Sequence, residues 1–181
     1  MNTFTKLVQQ QWEYGGKKYA STAVKESTDI LVDDYGFNWL LGTLNKYIYR
    51  YKNLGREKDL LKVACYCFII WLKFGFHIVK GYGTAGDNYT TVKAKAMYWD
   101  EFIKVIQSVT LDSDDLKWKD KHKLLDDVTA HLLDLRTCSN RHELPLIAIY
   151  QLMEQVWKLD GFDKKEVHDQ DTWLEGKGKS K

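Results

Sequence analysis

Apolar side chains recur three and four residues apart along most of the chain, and strict two-residue alternation is nearly absent, so the pattern predicts an all-α protein. Phe4, Leu7, Val8 and Trp12 form a first stripe, expected to stop at Gly15-Gly16. A second helix is expected from Thr22 to Asp34, closed by Gly36. Asn38 is placed to cap a third, with Leu40, Leu41, Leu44, Tyr47, Ile48 and Tyr51 inward and an end near Asn53 to Gly55. The fourth, Glu57 to Phe74, is apolar almost all round, which assigns it to the middle of the bundle. "KGYGTAGDN", residues 80–88, has no apolar period and predicts a loop between two halves. A fifth helix follows from Lys95 to Val109. "DSDD" is expected to open a sixth, burying Leu116, Leu124, Leu125, Val128, Leu132 and Leu135. Asn140 and Glu143 stand at capping-box spacing before a seventh, with Pro145 in its first turn and its end at Gly161.

The expected architecture is a single-domain helical bundle of about seven helices over residues 1–161, with 80–94 as a loop, 95–161 as additional helices and 162–181 as a polar, flexible tail. Trp173 and Leu174 in that tail could dock transiently. A chain of 181 residues with 44% hydrophobic and 29% charged residues is long enough for one ordinary core. The 27 basic residues nearly balance the 25 acidic ones, leaving +2, so no overall field favours nucleic acid. The longest apolar run, "VACYCFIIWL", is about half of what a bilayer span needs, and the first residues lack the features of a secretion signal. The expectation is a cytoplasmic protein with no membrane partner. Cys65, Cys67 and Cys138 are wrongly spaced for a zinc cage, and the first two read as buried thiols. Seven tryptophans and eleven tyrosines leave aromatic surface for a partner, so a homo-oligomer is expected.

Charged side chains at helical spacing supply the candidate chemistry. Glu26, Asp29 and Asp33 share one face and could hold a hard divalent cation, or simply form a solvated acidic face. Lys46 and Arg50 lie four apart beside Asn45, presenting two cations and an amide as a phosphate site does; the alternative is an exposed basic face. Gly42, one turn earlier, would let a ligand approach the backbone or another helix pack there. Asp59, Lys62 and Tyr66 form one polar stripe on the greasy fourth helix, which needs partners whether its role is chemical or structural. Asp127, His131 and Asp134, with Asp126 and His122 nearby, have a spacing that can ligate a metal and equally suits a helix boundary. No phosphate-binding loop or dinucleotide fingerprint is present.

"LGTLNKYIYR" followed by "DLLKVACY" resembles the helical domain of small phage proteins of the podovirus nucleotide-kinase type. The resemblance rests on Leu41, Gly42, Lys46, Tyr47 and Arg50, then Asp59, Leu60, Lys62 and Tyr66, with Glu26 and Asp29 upstream. Thr43 and Val63 stand where that family has Asn and Ala, and its His-Tyr pair is missing, with only Tyr19 nearby. "YGGKKYA", from Tyr14, is similar to a segment of phage dATP/dGTP diphosphohydrolases. These likenesses cover about residues 14–72, the family-like core. They imply phage nucleotide metabolism in the host cytoplasm, with phosphoryl transfer to a deoxynucleoside monophosphate as the first expectation. In that chemistry Lys46, Arg50, Lys62 and Asp59 would be catalytic, Gly42, Asn45, Lys46, Arg50 and Tyr66 would bind substrate, and Glu26, Asp29 and Asp33 would hold Mg²⁺. A MazG-like or dATP/dGTP-type pyrophosphohydrolase would use the same acids to activate water. The third class is a non-catalytic nucleotide sponge or a protein that contacts a host protein.

Overall fold

The computed structural model describes residues 2–19, 27–73, 92–109, 119–137 and 143–168. Among the described residues all regular structure is helical: α1 (Thr3–Tyr19), α2 (Ser27–Leu54), α3 (Glu57–Lys73), α4 (Val92–Ser108), α5 (Lys121–Thr137) and α6 (Leu144–Leu159), then a 3-10 turn, Phe162–Lys164. None of these helices is long and apolar enough to cross a membrane.

Six helices are described where about seven are expected, and the second of them contains the break that the sequence places at Gly36. This glycine adopts φ 67°, ψ −158°, a conformation open essentially to glycine alone, and the chain re-enters the helix at once. The second and third expected helices are thus the two arms of α2, separated at this kink. Gly55, at φ 58°, ends α2 where the sequence places the end, its N–H bonding to the Tyr51 carbonyl at 2.8 Å. The expected stop at Gly15-Gly16 is not observed: α1 continues to Tyr19, because glycine lowers helix propensity by about 1 kcal/mol without forbidding the helix.

α3 occupies the centre, packing against α1, α2, α4 and α6. Its apolar perimeter demands this, since Leu60, Leu61, Val63, Ala64, Phe68 and Trp71 point in different directions and all are fully buried. Trp12, Trp99 and Phe102 surround Phe68 with ring centroids 4.9–5.3 Å away, tying α1 and α4 to that centre. Cys65 and Cys67 are buried thiols, as expected; burial pushes Cys65 up to about 12, against the opposing charge of Lys62.

Polar groups fasten the helix ends. Glu57, in the first turn of α3, is buried and accepts the Trp157 indole N–H at 2.8 Å. The same oxygen lies 2.7 Å from His168 Nδ1, while Lys165 approaches the other at 3.6 Å. His168 also stacks on Trp157. Residues 162–168 are thus built into the fold, with Phe162 and His168 buried, although composition marks them as the start of the tail. Asp160 accepts bonds from the Tyr51 hydroxyl and from Lys121 Nζ at 3.1 Å, joining α2, α5 and the end of α6. Burial first, then the bond to Asp160 and its charge, hold the Tyr51 phenol well above its ordinary range, so it stays a donor.

Glu143 precedes α6 but makes no side-chain cap; its carboxylate instead accepts the Trp71 indole N–H at 3.2 Å, and Pro145 sits in the first turn. Asp120 accepts the His122 backbone N–H at 2.9 Å at the start of α5. The proposed "DSDD" start, Leu116, Asn140, Cys138, the 80–88 loop, and Trp173 with Leu174 lie outside the described residues.

Candidate functional site

The hairpin of α2 and α3 gathers the basic side chains. Tyr47, one turn before Tyr51 on the buried flank of α2, turns its ring toward α3 and stacks on Tyr66 with centroids 5.8 Å apart. Three cations converge on that ring: Lys46 Nζ at 4.7 Å, Lys62 Nζ at 4.8 Å and the Arg50 guanidinium at 5.5 Å. Lys62 also donates to the Tyr47 hydroxyl at 3.5 Å. An electron-rich ring attracts each of these cations, which offsets part of the cost of placing three like charges around it.

Asp59 lies beside this cluster, completely buried in the first turn of α3. Arg56 Nε donates to its Oδ2 at 3.0 Å. Arg50 Nη2 stands 3.5 Å from Oδ1, close enough for charge compensation, yet Oδ1 receives no hydrogen bond among the described residues. Arg50 is therefore attracted but not locked. It is also about one-third exposed, so its guanidinium can turn toward an anion without leaving the protein surface. Arg50 and Arg56 thus flank the carboxylate of Asp59, while Lys46 and Lys62 join Arg50 at the Tyr47 ring.

The other flank of α2 forms a cleft of about 470 Å³ with α5. Asn38, Leu41, Gly42 and Asn45 line one wall and Thr129, Leu132, Leu133 and Arg136 the other. The two helices run antiparallel and are tied together at one end, where exposed Lys52 meets Asp126 at 3.4 Å. A Cβ added to Gly42 would meet nothing within 4 Å, so this glycine is not required by helix packing.

The structure thus brings Lys46, Arg50, Asp59, Lys62 and Tyr66 to one flank of α2 and places Asn45 on the other, with Gly42 at the exposed rim of the cleft. Glu26 lies outside the described residues, as do the side chains of Asp29 and Asp33. His131 Nδ1 is 4.0 Å from Asp134 Oδ2, and among the described residues no three His, Cys, Asp or Glu side chains are grouped to hold a metal. Sequence spacing missed Tyr47 as the platform, Arg56 as the firm partner of Asp59, and Arg136. Only Arg56 carries a local signal, since it precedes Asp59 by three. No family model matches the chain, and no curated protein or solved structure matches it either.

Proposed function

We propose that the α2–α3 flank binds the phosphate groups of a nucleotide and that the chain transfers a phosphoryl group to a deoxynucleoside monophosphate. The convergence of Lys46, Arg50 and Lys62 on the Tyr47 ring carries this proposal. A phosphate entering there would exchange a crowded cation–π arrangement for charge-assisted hydrogen bonds, with Arg50 offering its fork and the lysines acting as point charges. Asp59 holds the arginines at the edge of the site and keeps the cluster from repelling itself apart. Phosphoryl transfer asks little covalent chemistry of the protein beyond positioning and charge neutralisation, which is what three adjustable cations supply. The choice of transfer over pyrophosphate hydrolysis rests on the ungapped resemblance through Lys46, Arg50, Asp59 and Lys62. Glu26 and Asp29, which match in that resemblance, keep the role of holding Mg²⁺ to neutralise the phosphates, with Asp33 joined to them by helical spacing.

The test is incubation with Mg²⁺ and a panel of nucleoside mono- and triphosphates, with products resolved by chromatography. Diphosphates formed only when donor and acceptor are both present support the proposal. Monophosphate plus pyrophosphate from a triphosphate alone makes the chain a pyrophosphohydrolase, and tight binding without product makes it a sponge. Absence of any binding would leave the basic flank as a contact surface for another protein.

A further inference from the structure

The geometry points to a second half of the nucleotide site: the α2–α5 cleft takes the base, and the nucleotide straddles α2 over Gly42 to place its phosphates on Lys46 and Arg50. This deepens the phosphate-binding proposal and rests on it.

The first observation is an unexplained glycine. In the middle of a helix, glycine is less favourable than alanine, and it is usually retained for positive φ or for close packing. Gly42 has neither reason: its φ is not positive, and a methyl group there would meet nothing within 4 Å. What the missing side chain leaves is a low saddle in the exposed rim of the cleft on α2, one turn from Lys46.

The second observation is the chemistry of the cleft. About 470 Å³ falls within the usual range of small-ligand sites, roughly 300–1,000 Å³. Its floor is leucine, and its polar groups are the Asn38 and Asn45 amides, which form no hydrogen bond with the described residues. An apolar slot with uncommitted amides, each both donor and acceptor, suits a planar heteroaromatic ring with mixed hydrogen-bonding edges. Arg136, on the opposite wall, adds a planar cation that can stack on such a ring.

The third is distance. Asn38 and Asn45 are seven residues apart, so the cleft runs for roughly 10 Å along α2. Lys46 follows Gly42 by one turn, so the two positions are neighbours roughly 5–6 Å apart on the helix surface. A sugar lying over Gly42 would therefore have the base on one side and phosphate within reach of Lys46 on the other.

The experiment compares inorganic tripolyphosphate, a deoxynucleoside and the corresponding deoxynucleoside triphosphate by calorimetry, using the full chain and the variants Gly42→Leu and Leu133→Trp. Both substitutions fall on exposed positions, and circular dichroism with thermal melts checks that each variant is folded. The expected result is that the triphosphate binds at least about tenfold more tightly than tripolyphosphate, a difference of about 1.4 kcal/mol. Each variant should erase that advantage while leaving tripolyphosphate binding within about twofold of wild type. Equal affinity for the triphosphate and tripolyphosphate, unaffected by either variant, would overturn the base site and leave the phosphate site standing. Deoxynucleoside binding that Leu133→Trp abolishes, with no tripolyphosphate binding, would overturn the phosphate proposal and the straddling arrangement with it.

Discussion

Replacing Glu57 by Ala should cost more stability than any other charged-to-alanine change in the described structure, because three partners lose their acceptor at once. The Trp157 indole N–H, at 2.8 Å, is buried and would be left without its bond, which alone costs about 1–3 kcal/mol. His168, at 2.7 Å and nearly buried, loses the carboxylate it faces, whereas Lys165 is 39% exposed and adds little. Removing one member of a buried charged cluster typically costs about 3–5 kcal/mol, and that is the expected range for Glu57→Ala. For a chain of this size it corresponds to a fall in Tm of roughly 6–20 °C. Glu57→Gln, which keeps an acceptor for Trp157 but discards the charge, should lose about half as much. Urea unfolding of Glu57→Ala, His168→Ala and the double variant measures the coupling, expected to exceed about 0.5 kcal/mol. Trypsin should also cut faster after Lys164 and Lys165 in Glu57→Ala, since the clasp holds that segment. Single variants within about 0.5 kcal/mol of wild type, or a coupling of zero, would refute the clasp as a source of stability.

Arg50→Ala should weaken nucleotide binding by roughly ten- to a hundredfold, from a lost charge-assisted contact of about 1.5–3 kcal/mol, with the protein still folded. A lowered Tm with unchanged affinity would make the Arg50 contact with Asp59 purely structural. Gly36→Ala should destabilise by about 1–3 kcal/mol because its backbone conformation excludes other residues, while Gly42→Ala should stabilise by about 0.5–1 kcal/mol; urea midpoints shifting in the same direction for both would contradict this contrast. Cys65 and Cys67 should resist a thiol reagent at pH 8 until urea unfolds the chain, since burial pushes Cys65 up to about 12 and raises Cys67 as well. More than one label per native chain would place a described thiol at the surface.

Helical class and the central position of α3 were legible in the sequence because both follow from periodicity: three-and-four spacing identifies helices, and an element apolar on every side has nowhere to go but the middle. The grouping of Lys46 with Arg50, and of Asp59 with Lys62, was legible for the same reason, since helical spacing fixes which residues of one helix share a face. Spacing says nothing about which helix faces which. Only the packing of α2 on α3 brings Lys62 over Tyr47, and only the packing of α2 on α5 turns Asn45 away from the cations and into a cleft with Arg136. The burial of Glu57 was likewise invisible: a charged residue in a first turn looks like a surface capping group, until Trp157 and His168, about a hundred residues away in sequence, close over it. Local rules set each helix and its stripes, whereas the partners of a buried charge are chosen by distant segments that the local pattern does not encode.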